Sequence, residues 1–324
     1  MLLNSSKVLF LSFMTVGVMI SVSCNGWVMI WAGMELFLVS FIPFFCNFSV
    51  VSSECSMSYF LVQGLSSSLL IFSLVFFSVN TNGLISSFFC FSLLLKLGCA
   101  PFHNWVMGVI TGMDYDSLLL FLTFSKLPPF FMLSYISYNL SIFVFFCLVV
   151  GSVGGLNHSS LKKILGFSSV FNMGFVVYLL EVGSLWLVYF FIYFLMVSFL
   201  VLFLILYNFI YVNSLFLVGL SFFSKLSFWF IFLSMGGMPP MVGFLIKLVC
   251  IEFSILNNDY LISMFMVIFS LVVMFYYIRC SFVSLFCYSF IIKWNVYVFY
   301  VLLNFFSFLS LLMFPLFLVL SVLV

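Results

Sequence analysis

Charge is the scarcest feature of this sequence. Asp, Glu, Lys and Arg make up only 5% of its 324 residues, whereas they make up roughly 25% of a typical soluble protein. Hydrophobic residues reach 67% and the mean hydropathy is +1.44, so no polar half remains that could fold as a separate soluble domain. The composition therefore predicts a single transmembrane domain over residues 1–324. The net charge of +2 and the lack of a basic run argue against nucleic-acid binding.

Motifs for redox centres, metals and nucleotides are also missing. The nine cysteines form no C-x-x-C pair, which argues against an iron–sulfur or zinc site. The two histidines, His103 and His158, lie near predicted helix ends and are too few for a bis-histidine haem protein. Neither G-x-x-x-x-G-K-[ST] nor G-x-G-x-x-G occurs, so we expect no nucleotide site. We therefore expect this chain to bind no cofactor and no metal itself.

Alanine is rare, and the N-terminus carries no recognisable targeting signal. Alanine occurs only at Ala32 and Ala100, while phenylalanine occurs 51 times, a skew that suggests T-rich codons and a small organellar genome. Residues 1–23 are hydrophobic, but they lack a small-residue cleavage site and the Arg-rich pattern of a transit peptide. We therefore expect them to form the first membrane span.

Long apolar runs fill the rest of the sequence. A membrane-spanning helix needs about 20 mainly apolar residues, and in lipid only helices and closed barrels pair all their backbone groups. The runs show no period-two alternation, which favours helices. The predicted fold is an all-α polytopic membrane protein with about 11 transmembrane helices. Their expected positions are about 8–23, 26–46, 57–79, 84–105, 116–136, 139–156, 160–180, 184–211, 219–251, 260–287 and 295–322.

The loop charges predict the orientation of the chain. If the spans alternate, the loop bases fall on the N-terminal side, and the opposite side carries only acids. The bases are Lys7, Lys162, Lys163, Lys225, Arg279 and Lys293, and the acids are Glu181, Glu252 and Asp259. Positive loops stay on the matrix or cytoplasmic side, so we expect the N-terminus there and the C-terminus on the opposite side. Interfacial anchoring also explains Lys7, Lys225 and Lys293.

Two predicted spans contain helix breakers. The fourth contains Gly98 and Pro101 just after Lys96, and the ninth contains the run GGMPP ahead of Lys247. Proline removes a donor and clashes with the preceding turn, so each helix should kink or open there. The breaks lie five spans apart, which favours two inverted five-helix units over two ordinary proline kinks. The expected bounds are about 8–136 and about 139–287 for the units, and about 295–322 for an extra C-terminal helix.

Four charged residues lie inside predicted spans, namely Glu35, Lys96, Lys126 and Lys247. A charge at mid-bilayer costs about 2.5–3.5 kcal/mol, so such residues are typical of a proton or ion pathway. Loss of water favours the neutral form of a lysine and allows it to load and unload protons. A Glu35–Lys96 pair would offset both penalties and couple the two protonation states. We interpret these residues as a proton-transfer chain, and a static ion pair that locks two helices is the alternative.

Three further residues are candidates for proton entry or relay. Lys162 and Lys163 begin the seventh predicted span, where they either anchor it or open a proton path. His158 beside them is either a titrating group or a polar loop residue. His103 follows the break in the fourth span and is a candidate relay between Lys96 and the aqueous side.

Six segments, in this order, resemble the chain 2 family of mitochondrial NADH–ubiquinone oxidoreductase, which is respiratory complex I. They cover about residues 27–247, and the remainder agrees mainly in hydropathy. Sister antiporter-like subunits share versions of single motifs, but the full series is specific. The segments are WAGMELFLVSFIP, SYFLVQ, LLLKLGCAPFHNW, LTFSKLPP, GLNHSSLKKILGFSSVFNMGF and LSMGGMPPMVGFLIK.

The resemblance implies a proton-pumping subunit of the membrane arm, related to cation/proton antiporters. By position, Glu35 and Lys96 resemble the family's coupling pair, Lys126 its central channel lysine, and Lys247 the lysine of the second half-channel. Asn172 stands where the family often has a histidine, and an amide cannot titrate, although it can order water.

The resemblance also implies partners and a location. FMN, iron–sulfur clusters, NADH and ubiquinone would be bound by partner subunits, and the partners would be other complex I membrane-arm and accessory subunits together with lipids. The location would be the inner mitochondrial membrane, with the N-terminus on the matrix side. Two rival hypotheses are a stand-alone cation/proton antiporter and a structural subunit whose charges only pack helices.

Overall fold

The computed structural model describes residues 5–46, 49–79, 83–136, 140–216 and 222–286. Within these ranges the regular structure is helical, apart from an isolated antiparallel bridge between Ser160 and Tyr211. The predicted eleventh span at 295–322 and Lys293 lie outside the described residues.

The helices of the described ranges are numbered in chain order. They are α1 Ser5–Ser23, α2 Trp27–Phe45, α3 Val50–Val79, α4 Gly83–Leu97, α5 Asn104–Gly112, α6 Tyr115–Leu122, α7 Leu127–Ser134, α8 Ser141–Leu156, α9 Leu161–Val182, α10 Leu185–Tyr207, α11 Phe222–Gly236, α12 Val242–Leu256 and α13 Tyr260–Phe286. Two short 3-10 turns, Phe124–Lys126 and Val212–Phe216, are left unnumbered.

The helices agree with the predicted class of an all-helical membrane protein. Among the described residues, seven segments are long and apolar enough to cross a membrane: α1, α2, α3, the combined α6–α7 segment, α9, α10 and α13. Three shorter apolar helical stretches fall in α4, α8 and α11. The total of about 11 spans stays a prediction.

The fourth and ninth predicted spans are each broken at a glycine whose backbone φ angle is positive. Helix α4 stops before Gly98 (φ +67°), and α11 stops before Gly237 (φ +83°). At the end of α4, the N–H groups of Gly98 and Cys99 donate hydrogen bonds to the carbonyls of Leu95 and Leu94, respectively, both at 3.1 Å. This is the Schellman pattern of a glycine C-cap.

Helix α11 ends with the same pattern. Gly237 and Met238 donate to Ser234 (3.2 Å) and Leu233 (3.1 Å), respectively. A residue with a Cβ adopts this positive φ with difficulty, so the glycine, more than the nearby prolines, stops each helix.

The fifth predicted span, about 116–136, corresponds to the apolar segment Tyr115–Ser134, which a short turn interrupts. Helix α6 ends at Leu122, the 3-10 turn follows, and α7 starts at Leu127. Pro128 and Pro129 occupy the first turn of α7, where the missing N–H groups are tolerated. The break brings Lys126 to a helix junction inside an otherwise apolar span.

Residue contacts divide the chain into two compact units, residues 1–143 and 144–324. The inverted relationship of two five-helix units stays a prediction. In the first unit, α1 and α2 approach closely at Gly17 and Gly33. A Cβ at Gly33 would lie 2.7 Å from the Gly17 carbonyl oxygen and 2.9 Å from the Ser21 nitrogen. Small residues at such a crossing let membrane helices pack backbone to backbone.

The substitution Gly33→Ala should separate α1 from α2, because the new methyl group meets backbone atoms that have no rotamer to change. Overpacking of this kind costs about 1–3 kcal/mol, so we expect a lower melting temperature of the purified protein. The matched control is Gly64→Ala on α3, where a Cβ meets nothing within 4 Å. A melting temperature that falls equally in both variants would contradict the close-approach explanation.

Candidate functional site

An ion pair joins α2 and α4 in the first unit. Lys96 Nζ lies 3.1 Å from Glu35 Oε1, and the two side chains are 3% and 26% exposed. The structure thus brings together two of the four charges expected inside spans. Because Lys96 is almost fully buried, the nearby carboxylate is the main compensation for its charge.

A small polar cavity lies next to this ion pair. Its volume is about 20 Å³, which is enough for about one water molecule. Its wall includes the side chains of Tyr59, Gln63, Lys96, Ser125 and Pro128. The buried lysine therefore faces polar groups and space for water, the surroundings that a proton-transfer site needs.

The broken end of α4 fixes the backbone of Lys96. The glycine cap satisfies the carbonyls of Leu94 and Leu95 but not that of Lys96 itself. Gln63 on α3 donates its Nε2 to the Lys96 carbonyl at 3.2 Å. Gln63 belongs to the SYFLVQ motif, but no periodicity or charge pattern in the sequence indicates that it pairs with this helix end.

Lys126 is the last residue of the 3-10 turn and is 3% exposed. Its neighbour Ser125 donates to the Phe121 carbonyl and lines the same cavity as Lys96. In the first unit, Lys96 and the segment that carries Lys126 therefore line one polar cavity, and Glu35 bonds to Lys96.

Lys247 lies on α12 in the second unit and is held by the end of α11. Its Nζ donates to the Gly236 carbonyl at 2.8 Å and to the Met235 carbonyl at 3.4 Å, and it lies 5.5 Å from the centre of the Phe171 ring. The glycine cap of α11 leaves these two carbonyls unpaired, and the C-terminal end of a helix attracts a cation. Carbonyl dipoles and a ring face therefore surround this lysine.

Two glycines make room for this arrangement. A Cβ at Gly237 would lie 2.9 Å from Lys247 Nζ. A Cβ at Gly243, in the first turn of α12, would collide with the Ser234 carbonyl oxygen. The broken helix is thus shaped around the lysine side chain.

Both the oxygen and the nitrogen of the Asn172 side-chain amide form hydrogen bonds. Tyr189 on α10 donates to Asn172 Oδ1 at 2.9 Å, and Asn172 Nδ2 donates to the Ser168 carbonyl at 2.9 Å. The amide thereby links α9 to α10 at 5% exposure. It fills a structural position and offers no titrating group.

The remaining candidates lie at helix ends. Lys162 and Lys163 are half-buried in the first turn of α9. Arg279 on α13 donates to the carbonyls of Leu156 (3.1 Å) and His158 (3.3 Å), which places a third basic side chain at this end. His103 precedes α5, is half-buried, and its Nδ1 lies 3.2 Å from the Pro101 carbonyl oxygen.

The opposite end of the second unit is acidic. Tyr178, near the C-terminal end of α9, donates its hydroxyl to Asp259 Oδ2 at 3.1 Å, just before α13 begins. Glu181 lies in the last turn of α9. Helices α9 and α13 therefore run antiparallel, and in the described part of this unit they separate Lys162, Lys163 and Arg279 from these acids.

The family model described as NADH:quinone oxidoreductase/Mrp antiporter, TM, matches residues 24–274. The matched stretch includes all four intramembrane charges. The chain therefore belongs to the NADH:quinone oxidoreductase/Mrp antiporter family of membrane proteins.

Curated relatives narrow this assignment. NADH-ubiquinone oxidoreductase chain 2 of Anopheles gambiae is 31% identical over 290 residues, which is 86% of this chain and 85% of that protein. The chain 2 protein of Paracentrotus lividus is 34% identical over 296 residues, covering 83% of this chain and 82% of that protein. Within the larger family, this chain thus groups with NADH-ubiquinone oxidoreductase chain 2, and the resemblance drawn from its motifs is confirmed.

Solved structures agree on the fold. A chain of respiratory complex I from Thermus thermophilus superimposes with a TM-score of 0.78 at 19% identity, covering 87% of this chain and 71% of that one. A chain of the Mrp complex from Dietzia sp. DQ12-45-1b gives 0.76 at 16% identity, covering 84% and 59%. At these identities the similarity shows the fold alone.

The Glu35–Lys96 pair should behave as a coupled unit in stability measurements. Removing one partner of a buried pair costs about 3–5 kcal/mol because the other charge is left alone. We expect Glu35→Gln and Lys96→Met each to lower the melting temperature, and the double variant to lower it by less than the sum. Glu54→Gln, an exposed glutamate on α3, is the control. Strict additivity would show that the pair contributes no coupling.

His158 should be neutral at physiological pH. Burial first, and the positive charge of Lys163 second, lower the pKa of His158 below its usual 6.5. The unfolded chain therefore binds this proton more readily than the folded chain, and stability is lost only as the pH falls through the usual value. We expect wild type and His158→Gln to differ in melting temperature by a constant amount between pH 7 and 8.5, and wild type to lose relative stability below pH 6.5. A difference that changes above pH 7 would contradict this assignment.

Proposed function

We propose that this chain is a core membrane-arm subunit of NADH:ubiquinone oxidoreductase in the inner mitochondrial membrane, and that it takes part in proton translocation. Its membership of the chain 2 family supports the assembly, and one structural observation supports the chemistry. That observation is the Glu35–Lys96 pair, whose lysine is buried beside a polar cavity, inside a chain that is otherwise almost free of charge.

Electron transfer lies outside this chain in our proposal. FMN, iron–sulfur clusters, NADH and ubiquinone are bound by partner subunits, and quinone reduction there changes the electrostatic potential that acts on this chain. Among the described residues no group of three or more His, Cys, Asp and Glu side chains is placed to hold a metal ion. This chain contributes groups that hold and pass protons.

The proposed cycle begins at the ion pair. Separation or closure of Glu35 and Lys96 changes the field at Lys126, which takes up or releases a proton, and Lys247 exchanges a proton with the outer side. Moving one charge against 100 mV takes about 2.3 kcal/mol, and breaking a buried pair involves energies of the same order. Lys162, Lys163 and His103 are proposed as entry or relay groups.

The loop charges support a proposed orientation in the membrane. In the second unit the basic and acidic side chains occupy opposite ends of α9 and α13. Positive ends face the matrix, so we propose a matrix-side N-terminus and an intermembrane-space C-terminus.

Membership in the assembly is tested by a native gel of inner membranes solubilised in mild detergent. The gel is probed for a peptide of this chain and stained for NADH dehydrogenase activity. Co-migration with a large NADH-oxidising band is the expected result. A small band without activity would favour a stand-alone cation/proton antiporter, the alternative that the same family includes, and would overturn the proposal.

Lys126 should be essential for pumping if it is the central proton carrier. We expect Lys126→Ala to lower the number of protons pumped per NADH oxidised in vesicles, because alanine has no group that binds a proton. Lys7→Gln, at the start of α1, is the control and should leave the ratio unchanged. Normal pumping by an assembled Lys126→Ala complex would remove Lys126 from the path.

A further inference from the structure

Three buried tyrosine hydroxyls lie together in the second unit. Tyr193 on α10 and Tyr276 and Tyr277 on α13 are 3%, 0% and 1% exposed. Among the described residues the Tyr276 hydroxyl has no hydrogen-bond partner, whereas the hydroxyls of Tyr193 and Tyr277 lie within reach of Ser169 and Ser168. A buried hydroxyl without a partner costs about 1–3 kcal/mol, whereas phenylalanine fills the same space without that cost. A buried group of tyrosine hydroxyls with so few partners therefore needs an explanation.

The tyrosines face two serines on α9. The ring centres of Tyr276 and Tyr277 are 4.8 Å apart, and Tyr193 lies near both rings. Ser169 lies close to Tyr193, and Ser168 lies close to Tyr277. Both serines are fully buried, and each donates to a carbonyl of its own helix, at 2.9 Å for Ser168 and 2.7 Å for Ser169. A hydroxyl accepts as well as donates, so these five groups form a hydroxyl cluster that is suited to passing protons.

One side of the hydroxyl cluster lies next to Lys247. Gly236, whose carbonyl accepts from Lys247 Nζ, packs against Tyr277, since a Cβ on Gly236 would lie 3.4 Å from Tyr277 Cβ. Tyr193 is one turn from Tyr189, the residue that donates to Asn172. Tyr277 therefore contacts the helix end that holds Lys247.

The other side of the hydroxyl cluster lies next to the basic end of the unit. Gly155, the penultimate residue of α8, packs against the ring of Tyr276. Arg279 follows Tyr276 by one turn and donates to the carbonyls of Leu156 and His158. The cluster thus occupies the space between Lys247 and the end that carries Lys162 and Lys163.

We propose that this hydroxyl cluster is a proton-transfer path between Lys247 and the basic end of the second unit. In each step an oxygen accepts a proton from one neighbour and releases its own proton to the next, so no hydroxyl gains net charge, and the Lys247 amine is the terminal acceptor. Because Asn172 is committed to Tyr189 and Ser168, the path runs beside it on the Ser168–Ser169 side.

This inference rests on the proposed pumping function, and Tyr-to-Phe substitutions separate it from a packing role. If the hydroxyls only fill space, phenylalanine should preserve both stability and pumping. If they carry protons, phenylalanine should preserve or raise stability while it abolishes transfer, because the ring stays and only the oxygen is lost.

The experiment uses the intact complex in vesicles with the triple variant Y193F/Y276F/Y277F. We expect an unchanged or higher melting temperature, retained NADH oxidation with an uncoupler, and a ratio of protons pumped per NADH that falls as far as it does in Lys247→Ala. The matched control is Tyr178→Phe, which removes the hydroxyl bonded to Asp259 at the acidic end. It should lower the melting temperature and leave the ratio unchanged, which is the opposite pattern.

The two proposals fail in different ways. If Lys247→Ala lowers the ratio and the triple variant does not, the hydroxyl path is wrong and the pumping function stands. If neither variant nor Lys126→Ala lowers the ratio, the proposed function itself is wrong. If the triple variant does not assemble, the number of protons pumped per NADH is measured in the single variants Tyr193→Phe and Tyr277→Phe. An unchanged number in both overturns the proposed path.

Discussion

The structure depends on one constraint: each charge and each unpaired backbone group inside an apolar membrane chain needs a partner from the protein itself. Lys96 meets Glu35 at 3.1 Å, and Lys247 meets the carbonyls of Gly236 and Met235. These partners make the buried charges tolerable. A group held by a few polar contacts changes its proton affinity when one contact moves.

Both units satisfy this constraint at a broken helix, but with different donors. A left-handed glycine ends α4 and α11 and leaves carbonyls of the last turn unpaired. In the first unit the neutral Gln63 donates to such a carbonyl, and Lys96 turns to Glu35. In the second unit Lys247 is itself the donor. The first lysine is therefore paired with a carboxylate, and the second with backbone carbonyl dipoles.

The sequence predicted the features that follow from its composition and from glycine and proline residues that interrupt helices. Scarce charge and long apolar runs predicted the helical membrane class, and Gly98 with Pro101 predicted the first break. The turn at Lys126 was missed although Pro128 and Pro129 are typical of a helix start and indicate that a new helix begins there. The roles of Gln63 and of the tyrosine cluster were missed because uncharged side chains in an apolar run look like packing until a neighbouring helix is placed beside them.

The most direct test of the central claim is whether the intramembrane charges act or only hold helices together. The measurement is the number of protons pumped per NADH oxidised by the complex that carries Glu35→Gln together with Lys96→Met. These substitutions remove both charges of the pair and keep similar side-chain volumes. Our account predicts an assembled complex that oxidises NADH and pumps fewer protons. A normal ratio would show that the ion pair is a structural contact, and the coupling scheme would be wrong.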